Sequence, residues 1–177
     1  MTAPEQPREG LLLSPQRLPR WNELPDLDIY MDQVLSLVSR YLRELPGMEE
    51  KGLTASMVNN YVKLGILPPP ISKRYNRTHL AQLIIITVLK SVLPIGSIGR
   101  IIASQLRTGL PCAELYSRFC DEYESMIRAA ADADASCQGL TEPSSAIFRA
   151  ALRSRAEQAL ALELLEKLAP EEPEQKK

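Results

Sequence analysis

The chain has one histidine, His79, among 177 residues. Any histidine-based triad or multi-histidine metal site would have to be built around that single ring. Its place at a helix start beside a basic loop predicts a surface side chain instead. Aromatic residues make up only 5%, so leucine, isoleucine, valine and alanine must fill the interior. The three cysteines, Cys112, Cys120 and Cys137, are an odd number with no C-x-x-C pair. That excludes a disulfide framework and points to a reducing, cytoplasmic compartment. Cys112 and Cys120, eight apart with no histidine near them, read as core cysteines rather than metal ligands. No P-loop, dinucleotide fingerprint or calcium loop is present, and the pairs Glu122/Glu124 and Asp132/Asp134 sit on acidic, solvated stretches. No apolar run approaches the roughly 20 residues of a membrane span; the longest is Leu83–Leu89. The N-terminus, rich in proline, glutamate and arginine, carries no secretory signal. Catalysis, a bound cofactor, a metal site and a membrane partner are therefore not expected.

The most informative absence is local. Between Lys51 and Leu110 there is no aspartate and no glutamate, whereas Lys51, Lys63, Lys73, Arg74, Arg77, Lys90, Arg100 and Arg107 all fall there. The segment carries +8 and the rest of the chain −9, although the whole sums to −1. Such segregation predicts a polyanion-facing surface backed by an acidic body.

What is present reads as helices. Residues 1–20, with four prolines, are expected to form a mobile tail in which Leu11–Leu13 docks locally, and Trp21 to anchor the start of the fold. Asp26 can cap a helix through about Glu44, with Leu27, Tyr30, Met31, Val34, Leu35, Val38, Tyr41, Leu42 and Leu45 as its stripe. Met48–Gly52 is a loop. Thr54 or Ser56 caps a short helix over 55–64, with Met57, Val58, Tyr61 and Leu64 on one face. Gly65 stops it, and Pro68, Pro69 and Pro70 hold the chain extended. Asn76 or Thr78 caps a buried helix to about Val92, apolar nearly all round, where periodicity alone leaves a strand open. A further stripe runs from Ile95 to Leu106, with Gly96 and Gly99 permitting close packing. Pro111 opens the next helix and Thr141 caps a last one to about Leu168. Residues 21–110 form one region, 111–168 a C-terminal helical region for packing or dimerisation, and 169–177 a charged tail.

Thr54–Leu83 resembles the DNA-binding half of the MerR group of winged helix-turn-helix proteins. There a recognition helix ends in an aromatic, a spacer and Gly-Leu-Leu-Pro, and a wing and Arg-x-Tyr follow. Tyr61, Gly65-Ile66-Leu67-Pro68 and Lys73-Arg74-Tyr75 match, and Leu80 and Leu83 keep the spacing after Tyr75. Over most of its length the chain is similar to bacterial proteins grouped as a domain of unknown function, DUF1836. Asn59-Asn60-Tyr61-Val62-Lys63 and the helix from Leu27 to Leu42 carry that likeness.

The expected fold is all-α: about six helices, with a MerR-like winged helix-turn-helix and one small two-stranded wing. The expected function is that of a bacterial transcriptional regulator binding double-stranded DNA, with helix 55–64 in the major groove and the basic wing 70–77 on phosphates. Asparagine reads adenine bidentately, so Ser56, Asn59, Asn60 and Lys63 are the candidate base-reading residues. Lys73, Arg74 and Arg77 are candidates for phosphate. Tyr61 and Tyr75 fall at packing positions. The C-terminal helix could pair with a second copy, as the resemblance implies, or pack on its own domain. An effector is open. The alternative is a protein-interaction adaptor that keeps the fold without DNA, because Asn59 and Asn60 stand where better-known MerR members carry arginine and tyrosine.

Overall fold

Among the described residues Trp21–Glu23 form a 3-10 turn, and six α-helices follow it: α1 Met31–Leu42, α2 Ala55–Lys63, α3 Arg77–Leu89, α4 Ile95–Arg107, α5 Cys112–Ala135 and α6 Pro143–Lys167. The computed structural model describes residues 17–43, 45, 52–135 and 142–168. Leu11–Leu13, most of the expected Met48–Gly52 loop, Cys137 and the proposed cap Thr141 lie outside the described residues. Among the described residues there is no strand, only two isolated bridges. No described helix is long and apolar enough to cross a membrane.

The order of packing follows from how apolar each helix is. α3 has no polar face: every side chain from His79 to Thr87 is buried. Such a helix can only sit at the centre, and α1, α4 and α5 pack around it. The apolar run at 83–89 is thus a helix segment and not a strand. Thr87 stays buried because its Oγ1 donates to the Leu83 carbonyl at 2.7 Å. The amphipathic helices turn single stripes inward: Val34, Val38 and Leu42 from α1, Val58 and Tyr61 from α2, Ile98 and Ile102 from α4, Tyr116 and Cys120 from α5.

Three expectations are corrected here. Asp26 does not cap α1; the helix begins five residues later. The chain before it is held extended where Ile29 N–H donates to Tyr75 O at 2.9 Å and Tyr75 N–H to Ile29 O at 2.8 Å. Tyr30 is the N-cap, its N–H satisfied by Gln33 Oε1 at 2.9 Å, and Leu27 and Tyr30 stand in solvent rather than in the stripe. Leu64 leaves the apolar face of α2 as well, because it is the C-cap residue and exposed. Of the two glycines in α4, only Gly99 marks a close approach: a Cβ there would lie 2.8 Å from Ile66 Cγ1, while one on Gly96 meets open space.

The segment just before the 3-10 turn belongs to the core. Leu18 is fully buried, Tyr116 donates its hydroxyl to Pro19 O at 2.8 Å, and Arg20 pairs with Asp121 and Glu124 on α5. Trp21 leans on Tyr116, with ring centres 6.4 Å apart. The anchoring expected of the tryptophan is what the fold shows.

Candidate nucleic-acid interface

α2 is defined at both ends by its own sequence. Thr54 Oγ1 accepts from Met57 N–H at 3.2 Å, the N-cap bond. At the other end Gly65 takes φ +71°. Ile66 N–H returns to Tyr61 O at 2.9 Å and Gly65 N–H to Val62 O at 3.0 Å. That pair of bonds is a Schellman stop, which needs the left-handed residue that glycine supplies. Val58 and Tyr61 face the core, so Ser56, Asn59, Asn60 and Lys63 are left exposed on the outer face. Burial raises the Tyr61 and Tyr75 hydroxyls above the usual tyrosine range, and both rings are core side chains, as their spacing predicts.

The expected two-stranded wing is a single tight turn. Ile71 and Arg74 exchange both backbone bonds, at 3.1 and 2.9 Å, around Ser72 (φ +50°) and Lys73 (φ +63°). Two successive left-handed residues make the two-residue hairpin turn that glycine or asparagine normally occupies. Serine and lysine there cost about 1–2 kcal/mol each. The turn does not extend into a strand pair: the next ladder bonds would join residues 69 and 76, but Pro69 has no N–H and the Asn76 N–H is taken by His79 Nδ1. Lys73 is left exposed at the tip.

The two arginines have partners. Arg74 lies 4.9 Å over the Tyr30 ring and donates to its hydroxyl at 3.1 Å. Arg77 turns inward: its guanidinium is 5.7 Å from the Trp21 ring centre and 3.4 Å from Asp26, and Nε donates to Pro25 O at 3.5 Å. Arg74 is exposed and Arg77 half-buried, so the first can still reach a ligand while the second ties α3 to the N-terminal segment.

His79 is the clearest departure from expectation, since it is buried and not on the surface. It closes a reciprocal cap with Asn76: Asn76 Oδ1 accepts from His79 N–H at 3.2 Å, and His79 Nδ1 accepts from Asn76 N–H at 3.1 Å. Glutamate is the usual residue at that third position, and a neutral imidazole supplies the same acceptor to a helix that must stay buried. The ring also meets Tyr75 edge-on, 5.4 Å between centres. Burial holds the imidazole below its ordinary value near 6.5, opposed more weakly by the Pro69 and Pro68 carbonyls and by Asp28. A histidine depressed on folding leaves the unfolded chain binding more protons, so its stabilising effect is complete above pH 6.5 and is lost as pH falls toward the folded value. The unfolding free energy from urea titration should accordingly fall from pH 7.5 to pH 5.5, by no more than about 1.4 kcal/mol per pH unit. In His79→Gln the midpoint should be flat over that window, because no other histidine titrates there.

Ser56 and Asn60 also line a cleft of about 500 Å³ with Met57, Tyr61, Lys90, Ser91 and Ile95. The turn between α3 and α4 thus stands beside the outer face of α2. Lys90 falls in the acid-free stretch, but nothing in the order of the chain marks it or Ser91 as a neighbour of that face. Cys112 is half-buried and Cys120 fully buried, and burial raises both thiols, Cys120 to about 11. No group of three histidine, cysteine, aspartate or glutamate side chains that could hold a metal occurs among the described residues.

A family model, described as Domain of unknown function (DUF1836), matches residues 19–119. That span begins at the Pro19 carbonyl bonded by Tyr116 and ends within α5. Neither curated proteins nor solved structures match the chain.

Proposed function

The chain belongs to the DUF1836 family, and from that premise we propose that it is a bacterial transcriptional regulator that binds duplex DNA through a reduced, MerR-like winged helix-turn-helix. In this reading α1 and α2 are the helix-turn-helix pair, α2 enters the major groove, and the Ile71–Arg74 turn serves as the wing. One observation carries it: the exposed face of a helix capped at both ends presents Ser56, Asn59, Asn60 and Lys63 from a stretch with no acidic residue. Neutral amides and a lysine on such a face can approach a phosphate backbone without like-charge repulsion, and the amides can both donate to and accept from base edges. Lys73, at the tip of a strained turn, is the natural phosphate contact. Strain held at one exposed lysine is a reason to look for a ligand there. Arg74 can serve beside it, whereas we assign Arg77 to the tether on Trp21 and Asp26.

Selection from random duplexes at two salt concentrations tests the reading. A bound site whose affinity falls linearly with log salt supports it, and no retained duplex at low salt refutes it. On the selected site, Asn60→Ala should lose about 1–3 kcal/mol of discrimination at one base position while general affinity changes little. Equal binding to the site and to its single-base variants before and after the change would remove Asn60 from the readout.

The adaptor reading draws on the partners of the arginines. With Arg74 on Tyr30 and Arg77 on Asp26, the cationic surface is smaller than the sequence suggests. A single protein partner retained in stoichiometric amount, with no duplex binding, would favour it.

A further inference from the structure

The junction between the Ile71–Arg74 turn and α3 rests on a ring with two proton states. His79 Nδ1 faces a donor and an acceptor at once: the Asn76 N–H at 3.1 Å and Asn76 Oδ1 at 2.7 Å. One ring nitrogen can serve only one of them. With the imidazole neutral and its proton on Nε2, Nδ1 accepts from the Asn76 N–H and stands against a second acceptor, Oδ1. With the imidazole charged, Nδ1 carries a proton and can only donate, and Oδ1 is already in place to receive it. The Asn76 N–H then loses its partner, and a part-buried backbone donor left unpaired costs free energy.

The hairpin offers a replacement. Ile71 and Arg74 exchange both backbone bonds, so the next hydrogen-bonded pair in that register joins residues 69 and 76. Pro69 has no N–H to give, but its carbonyl can accept. The same carbonyl is one of the two that favour the charged imidazole. Tyr75 occupies the intervening position, so its N–H and C=O point out of the hairpin toward Ile29 and need not move. The neutral ring thus withholds the one donor that a second rung requires.

We propose that His79 is a proton-operated switch of the turn. Neutral, it keeps the Asn76 N–H on the cap of α3, and the hairpin is one rung long. Protonated, it donates from Nδ1 to Asn76 Oδ1, the Asn76 N–H passes to Pro69 O, and a second rung closes behind the Ser72–Lys73 tip. Asp28 is the charged group whose field reaches the ring, and it favours the imidazolium. Tyr75, edge-on at 5.4 Å, stays neutral, as does Cys112 beside Thr78 and Gln82. Arg74 is turned to Tyr30, and Arg77 to Trp21 and Asp26. Burial opposes the charge more strongly than these neighbours favour it, so the switch operates below the ordinary histidine range. It stands on the ring and its cap and is independent of whether the chain binds DNA.

Nuclear magnetic resonance on the full chain tests it between about pH 7.5 and 5. The Asn76 amide should titrate with the midpoint of the His79 ring. Below that midpoint a coupling through the hydrogen bond, from the Asn76 nitrogen to the Pro69 carbonyl carbon, should appear that is absent at pH 7.5. The couplings between Ile29 and Tyr75 should persist throughout. His79→Gln, whose amide oxygen can accept from the Asn76 N–H at any pH, should keep the one-rung turn over the whole range. Asn76→Asp keeps a capping oxygen and sets a carboxylate beside Nδ1, so the ring midpoint should rise by about 1–3 units, into the range where the fold is most stable. A midpoint not raised in Asn76→Asp would overturn the proposal. So would a charged ring with no coupling to Pro69 in either protein, or a pH-dependent Pro69 coupling in His79→Gln.

Discussion

Tyr116→Ala should destabilise the protein by about 3–5 kcal/mol, the range for removing a large aromatic side chain from a packed core. The side chain is fully buried on α5, the helix that packs on α3, α4 and the 3-10 turn. Trp21 leans on the ring, and the hydroxyl donates to Pro19 O. Burial drives the hydroxyl far above the usual tyrosine range, so it remains a donor at every accessible pH. The change would empty the ring's volume and loosen the N-terminal segment that Leu18 and Trp21 anchor. Tyr116→Phe separates the two contributions. It keeps the ring and removes only the donor, for which a cost of about 1–3 kcal/mol is expected when a buried carbonyl loses its partner. The low end applies, because Cys120 Sγ also lies 3.8 Å from Pro19 O. Urea denaturation followed by circular dichroism and by the fluorescence of the single tryptophan measures both. A Tyr116→Ala unfolding free energy within about 1 kcal/mol of wild type would mean that α5 is not anchored through this contact.

Reversing Lys63 and Lys73 together to glutamate should lower affinity for any duplex about a hundredfold or more near 0.1 M salt. It should also flatten the salt dependence by about one unit for each phosphate that a lysine no longer neutralises. Both lysines are exposed, one on the last turn of α2 and the other at the tip of the Ile71–Arg74 turn. Neither fills the core, so the thermal midpoint should move little. The pair also distinguishes the two functional readings. If an unaltered protein partner is retained while duplex binding is lost, both surfaces exist. If the doubly reversed protein binds duplex as the wild type does, α2 and its neighbouring turn are not the interface. A fluorescence-anisotropy titration over 50–200 mM salt reads affinity and slope together.

Much of the helical order is legible in the residues, because the signals involved are local. Thr54, Gly65 and Asn76 act on groups within four residues of themselves, and the structure uses all three as the spacing predicts. The acid-free stretch and the exposed face of α2 are legible for the same reason: a helix of known ends has only one face left once Val58 and Tyr61 point inward. The centrality of α3 follows from its having no polar face at all.

Other features depend on partners distant in the sequence. Ile29 pairs with Tyr75, 46 residues on. That one pairing moves the start of α1 past Asp26 and puts Leu27 and Tyr30 in solvent. No property of either residue alone announces it. The polarity of His79, weighed alone, places it outside; Asn76 satisfies one nitrogen and α3 carries the ring indoors with it. Arg74 and Arg77 read as free cations in the sequence, yet Tyr30, Trp21 and Asp26, all more than 40 residues earlier, stand beside them. The sequence by itself determined where α2 starts and stops, where α3 starts, and which segment lacks negative charge, since those depend on neighbours within a turn or two. Only the tertiary structure decided which cations stay exposed and which helix face stays bare, since a side chain's partner across the fold is set by packing and not by its own chemistry.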